Sequence, residues 1–310
     1  MSFLGGAKVD WGVEVDGGRF EIAPGGTLSG NVRFTARDAF EARRVVASLV
    51  GTEEYAYDVT ERSGRDQSRT HRRWETHELW RQDLELMGAA AIAAGETRAL
   101  PFEVSLPAGA PPTFDSGVLR VRWRASASID IGHGIDPSVD QPILVPLSAA
   151  ELASVDPAAL AERHQGAEEG KPYTMSVEPR PFIAGAPFAG TLDAGESLDL
   201  SRIRVEVKLV VSTEGSGGLG LGIALPTGVR IGHDARRGVT ETRALWQGVL
   251  TEVPGADGTR RYGFSGQLPA EPVATIALPH GAATALVDVI VDRRMRRDGH
   301  FTRPVAIASR

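Results

Sequence analysis

The stretch Pro101-Phe-Glu-Val-Ser-Leu-Pro107, a Pro/Gly-rich turn, and Val118-Leu-Arg-Val-Arg-Trp-Arg-Ala-Ser-Ala-Ser-Ile-Asp130 decides how the rest of the chain is read. It describes two strands around a long corner. Leu119, Val121, Trp123 and Ala125 point one way, and Arg120, Arg122 and Arg124 the other. A period of two with one apolar and one charged face is the signature of a strand that is buried on one side only.

The same pattern returns further along. Phe102-x-Val-x-Leu106-Pro107 matches Phe264-x-Gly-x-Leu268-Pro269, 162 residues on (268 − 106). Glu75-Thr76-x-x-Leu79-Trp80-x-x-x-Leu84 matches Glu241-Thr242-x-x-Leu245-Trp246-x-x-x-Leu250, 166 residues on (245 − 79). Gly30 corresponds to Gly190. Motifs in the same order at nearly the same offset predict two copies of one β-sandwich. The small difference in offset is a loop insertion, which costs little.

Totals agree with this reading. The 310 residues suffice for two domains, each with its own core. Thirty-six glycines and nineteen prolines, with few helical patterns, suit short strands joined by turns. A net charge of −6 gives no global field toward nucleic acid or acidic membrane. With no cysteine, a disulfide framework, a cysteine-based zinc site and a cysteine nucleophile are excluded, and a reducing compartment fits. The N-terminus lacks the pattern of a signal peptide, and no stretch approaches the ~20 apolar residues of a spanning helix. A cytoplasmic protein is the expectation.

Along the chain, 11–15 and 19–22 flank Asp16-Gly17-Gly18 and read as a hairpin. Strand 27–34 puts Leu28, Gly30, Val32 and Phe34 on one face, and 45–57 is a longer strand interrupted at Gly51. The polar stretch 60–73 reads as a long hairpin loop; 76–86 resumes strand character, and 89–100 is a turn followed by a strand. In 148–170, Ser148 with Glu151 forms a capping box and Asp156-Pro157 a second helix start, which predicts a short helical linker. In the second half, 203–211 alternates cleanly, with Ile203, Val205, Val207, Leu209 and Val211 inward. Segments 242–253 and 261–268 read as a strand pair, 285–291 as a strand, and 293–303 as a basic loop or tail.

Taken together, Pro24-Gly25-Gly26-x-x-Ser29-Gly30 before a strand, the Leu-Val-Gly ending at Gly51, Phe102-x-Val-x-Leu106-Pro107 with its corner, and 118–131 resemble the arrestin-like superfamily. Gly6-Ala7-Lys8-Val9-Asp10 and Asp130-Ile131-x-x-x-Ile135-Asp136-Pro137-x-x-Asp140, followed by Ile143-Leu144-Val145, look like the opening and close of the first domain of bacterial sporulation-control arrestin-like proteins. The likeness covers roughly 1–147, and the second half mainly through the repeat. It implies an all-β chain of two tandem immunoglobulin-like sandwiches, 1–147 and 171–310, around the linker 148–170. It also implies a cytoplasmic scaffold or adaptor without an active site, with no cofactor and no metal. The arginine-rich insertion and the long linker depart from the family pattern.

Motifs for chemistry are incomplete. His77-Glu78-Leu79-Trp80-Arg81 begins like a zinc-protease motif, but Arg81 stands where the second histidine belongs and the segment reads as a strand. Gly215–Gly222 is rich in glycine without the Gly-Lys-Ser/Thr that ends a phosphate loop. His133 and Asp136 fit a turn better than a metal site, and no Gly-x-Ser-x-Gly elbow occurs. In Pro111-Pro112-Thr113-Phe114 the aromatic residue reads as a core plug, and Trp80, Trp123 and Trp246 as core anchors.

Two basic clusters remain. Arg62, Arg65, Arg69, Arg72 and Arg73 lie in 60–73; Arg293, Arg294, Arg296 and Arg297 lie near the C-terminus. Charge runs are usually solvated faces. The functional reading is a patch for an acidic or phosphorylated protein partner, with no nucleic acid and no membrane span. Edge strands offer a route to homo-oligomers. The competing classes are a carbohydrate-binding sandwich and a self-assembling structural protein.

Overall fold

The structure, a computed structural model, describes residues 9–63, 67–132, 136–146, 174–194, 197–214, 235–255, 260–270, 273–292 and 298–308, with backbone alone for 61–63, 67, 68 and 235. The expected linker 148–170 and the glycine-rich 215–222 lie outside these residues. The chain folds as two β-sandwiches and forms two compact units: residues 1–54, 76–113 and 120–146, and residues 55–75, 114–119 and 147–310. Among the described residues, no helix is long and apolar enough to cross a membrane.

The strands in order are β1 (Val9–Val15), β2 (Thr27–Ala36), β3 (Phe40–Ser63), β4 (Gln67–Met87), β5 (Ala90–Ile92), β6 (Thr97–Ser105), β7 (Phe114–Asp115), β8 (Leu119–Ile131) and β9 (Ser138–Ile143). They continue with β10 (Thr174–Glu178), β11 (Phe182–Ile183), β12 (Pro187–Ala194), β13 (Ile203–Thr213), β14 (Ala235–Gly238), β15 (Thr240–Gly248) and β16 (Thr251–Val253). The last are β17 (Arg260–Gln267), β18 (Ile276–Ala277), β19 (Gly281–Val291), β20 (Gly299–Val305) and β21 (Ile307–Ala308).

In the first unit, one sheet has the order β1-β2-β6. The facing sheet is built on β3, which pairs with β8, β4 and β5, while β9 pairs with β8. Leu28, Val32 and Phe34 of β2 and Val121, Trp123 and Ala125 of β8 are buried, as their alternation predicts; Leu119, at the start of β8, is buried too but falls in the second unit. Phe34, Val45, Ile92, Ile129 and Ile131 form one end of this core. Gly51 does not interrupt β3: a Cβ there would sit 2.5 Å from the Trp123 ring, so the glycine makes room for the indole.

The second unit repeats the arrangement. One sheet runs β10-β12-β17-β16 and the other β15-β13-β19-β18, with β20 also on β19. Ile203, Val205, Val207, Leu209 and Val211 are buried on β13. The sequence match between Gly30 and Gly190 proves to be a match of register: Gly30 lies opposite Phe102 on β2 and β6, and Gly190 opposite Phe264 on β12 and β17.

Four local expectations change. Residues 19–22 do not pair with β1, whose partner is β2; Asp16–Gly18 is a 3-10 turn with Gly17 and Gly18 at φ 78° and 67°. Residues 242–253 split between β15, on β13, and β16, on β17. The C-terminal basic stretch is strand β20 from Gly299 onward, because its backbone pairs with β19. Finally, the described part of 60–73 is the extended end of a β3–β4 hairpin.

Candidate functional site

The hairpin end belongs to the second unit. Here β3 is flanked on both sides, by β4 and by the short strand β14. Tyr57, Asp58, Val59 and Thr60 lie opposite Gly238, Arg237, Arg236 and Ala235. A polar segment stays extended here because its side chains pair across strands. Thr60 and Thr70 share a hydroxyl hydrogen bond of 3.0 Å, and Arg72 Nε donates to Asp58 Oδ1 at 3.3 Å. Arg236 reaches Glu75 Oε2 at 3.1 Å, and its guanidinium stands 4.7 Å from the centroid of the Tyr57 ring. Arg73 Nε donates to His71 Nε2 at 2.9 Å.

The result is a positive island on an acidic protein. Segments 57–60, 69–75 and 235–238 hold five arginines (Arg69, Arg72, Arg73, Arg236 and Arg237) against two carboxylates, Asp58 and Glu75. All five arginines are exposed. Exposed pairs of this kind are worth ~0–1 kcal/mol each. They therefore orient the guanidinium groups without locking them, and an incoming carboxylate can compete for them. Trp74, 40% exposed, stands between Arg73 and Glu75 on β4. Exposed aromatic and arginine side chains together are the composition of binding hot spots.

Of the arginines singled out in the sequence, Arg69, Arg72 and Arg73 lie on β4 in this patch. Arg62 is on β3, with its side chain not described. Arg65, Arg293, Arg294, Arg296 and Arg297 lie outside the described residues. Sequence reading missed Arg236, Arg237 and Trp74. The doublet Arg236-Arg237 was the available signal, but only the pairing of β14 with β3 brings it to the hairpin.

Other candidates resolve structurally. Phe114 is buried, as a plug should be. Trp123 is buried and donates to the Pro111 carbonyl at 2.9 Å, and Trp246 packs edge-on against Phe188 at 5.1 Å. Asp136 Oδ1 accepts from the Ile131 amide at 3.0 Å, the turn role expected of it; His133 lies outside the described residues. Among the described residues, no group of three or more His, Asp or Glu side chains is placed to hold a metal ion.

A second polar cluster lies on the outer face of β13 and β19. Asp288, 4% exposed at its side chain, binds Lys208 Nζ at 2.6 Å and His300 Nδ1 at 3.0 Å, and Glu206 takes the other side of Lys208 at 3.0 Å. Burial works against the Lys208 charge, but the hydrogen bonds to Asp288 and Glu206 outweigh it and hold its pKa above the ordinary value. These groups satisfy one another, which makes the cluster structural.

Comparison with known proteins follows the fold. Residues 12–148 match the family model for the arrestin (or S-antigen) N-terminal domain. No curated protein matches the chain. Among solved structures it is similar to Spo0M, a sporulation control protein from Bacillus subtilis, at 14% identity and a TM-score of 0.34, over 97% of this chain and 91% of that one. The first sandwich of the chain thus matches an arrestin N-terminal domain.

Proposed function

We propose that the protein is a non-catalytic cytoplasmic adaptor that docks an acidic segment of a protein partner on the end of the β3–β4 hairpin. The observation that carries this is the concentration of exposed arginines at the hairpin end, Arg69, Arg73 and Arg236 on one face and Arg72 and Arg237 with the exposed Trp74 on the other, on a chain whose overall charge is negative. The arrestin-like family is generally non-catalytic, which supports the reading. Recognition rests on charge-assisted hydrogen bonds from guanidinium to carboxylate or phosphate, with Trp74 supplying apolar contact.

The test replaces Arg69, Arg72, Arg73, Arg236 and Arg237 by Ser in the full chain and compares partners captured from cell extract. Loss of specific partners, with the fold intact by circular dichroism, is the expected result. An unchanged partner set removes the site.

A further inference from the structure

We propose that Arg180 and Arg303, both in the second unit, form a seat for a phosphate group, either a free ion or one carried on a protein side chain. The seat shares no residue with the hairpin end and does not depend on the adaptor reading.

Backbone pairing brings the two arginines together. Arg303 lies on β20 opposite Val287 of β19, and Val305 opposite Ala285. Residues paired in this way show their side chains on one face of the sheet. Val287, Ala285 and Val305 are buried, so Arg303 leaves β20 on its core-facing side, and it is itself half-buried. Its neighbour Thr302 lies opposite Asp288, on the outer face. Beyond β20, β21 pairs in parallel with β11, and the Phe182 amide donates to the Ala306 carbonyl at 2.8 Å. Arg180 precedes Phe182 and Arg303 precedes Ala306, so both arginines stand at the same end of this parallel ladder. Arg180 is turned back over β10, its Nε donating to the Val177 carbonyl at 3.1 Å.

Charge is unbalanced at this point. Among the described residues, no carboxylate pairs with either guanidinium, and Glu178, the carboxylate nearest to Arg180 in sequence, is exposed. Burial pulls the pKa of Arg303 below its ordinary value, and the like charge of Arg180 pulls it the same way. At Lys208 the opposite holds, because Asp288 and Glu206 outweigh burial. A partly desolvated cation ordinarily finds a counter-charge; here a second cation stands beside it. A lone inward charge on an edge strand can serve simply to deter pairing with other chains. That accounts for Arg303. It leaves Arg180 unexplained, since this residue comes from a different segment and is oriented by its own hydrogen bond.

An anion resolves both. Arg303 keeps its whole set of N–H donors, and Arg180 keeps those of its terminal nitrogens. A single guanidinium fork is filled by a carboxylate. Two forks suit a phosphate, whose three free oxygens and about two negative charges engage both at once.

The test titrates the full chain at low salt with inorganic phosphate, a phosphoserine pentapeptide and acetate, followed by calorimetry. Both phosphates are expected to bind, and acetate is not. Arg180→Met and Arg303→Met should each weaken phosphate binding about tenfold. Arg303→Lys, which keeps the charge without the fork, should weaken it nearly as much. Changing the five hairpin arginines to Ser should leave it unchanged. Thermal denaturation gives a second readout. Without ligand, Arg303→Met should raise the midpoint by removing an uncompensated charge, and phosphate should raise the midpoint of the natural chain but not of this variant. Tighter binding of the phosphopeptide assigns the phosphate to a protein side chain, and tighter binding of the ion assigns it to a small ligand; both support the seat. Undiminished binding by the two Met variants, acetate bound as tightly as phosphate, or a lowered midpoint in Arg303→Met overturns it. Loss of binding in the hairpin variant alone also overturns it and places the anion on the hairpin end. No binding of phosphate by the natural chain overturns the seat and leaves the adaptor reading standing.

Discussion

The two sandwiches carry the same corner, atom for atom, on different sequences. In the first, Gly25 at φ 73° donates to the Pro107 carbonyl at 3.2 Å, and Leu106 donates back to Gly26 at 2.9 Å. In the second, Gly185 at φ 73° donates to Pro269 at 2.9 Å, and Leu268 to Ala186 at 3.2 Å. Thr113 exchanges bonds with Val145, through its amide at 2.8 Å and its hydroxyl at 2.9 Å; Thr275 does the same with Ile307, both at 3.0 Å. The glycine, the Leu-Pro pair and the threonine recur at these places. Each has a physical reason: a left-handed backbone, a rigid corner with an apolar plug, and a hydroxyl that satisfies a buried amide.

The outer sheet faces differ instead. In the second copy Lys208 and Asp288 bury their charges together. In the first, Arg44, Ser48, Ser128 and Asp130 line an open polar groove of about 420 Å³. The two sandwiches thus share the corner and differ at the surface.

The largest test of the equivalence is Phe102→Ala against Phe264→Ala. Both rings are 5% exposed and sit opposite the matched glycines, so each truncation should cost about 4 kcal/mol. Hydrogen exchange resolved by unit would check this, and a twofold inequality would break the correspondence. Next, Lys208→Met leaves Asp288 buried without its cation and should destabilise by about 3 kcal/mol. Arg44→Met, from an exposed pair with Asp130 at 3.5 Å, should cost no more than about 1 kcal/mol by urea denaturation. Thr113→Val and Thr275→Val should each cost about 1–2 kcal/mol, because a buried amide loses its acceptor.

The smallest effect concerns pH. A hydrogen bond from Arg261, at 2.6 Å, lowers the pKa of Asp193, against a minor opposing effect of burial. The stability from this pair is fully present above the ordinary carboxylate range and is lost as pH falls through the depressed value. It amounts to less than about 1 kcal/mol. NMR titration should show Asp193 protonating later than an ordinary aspartate on acidification, and Arg261→Ala should return it to the usual range.

How much of this the sequence disclosed depends on where the signal lay. Strands β2, β8 and β13 announce themselves because one face is apolar, and the repeat is legible because the corner needs particular residue types. The hairpin end is not legible as strand. Its stabilising pairs, Thr60 with Thr70, Asp58 with Arg72 and Glu75 with Arg236, come from residues 10, 14 and 161 positions apart. No local window of polar residues reveals such pairs. Arg69, Arg72 and Arg73 were found by composition alone, whereas Arg237 enters the site only through the register of β14.

The 24-residue strand β3 sets a rule for anyone dissecting the molecule. The second compact unit draws residues 55–75 and 114–119 from the front of the chain. Thr213 Oγ1, for example, donates to the Ala56 carbonyl at 2.6 Å. A gene cut in the 147–173 region would hand the downstream product a sheet missing its neighbour. The arginines of the hairpin end would be shared out between two fragments, neither able to rebuild the patch. Deletion analysis of this protein therefore has to proceed by point substitution, since its reading frame and its working parts do not share a boundary.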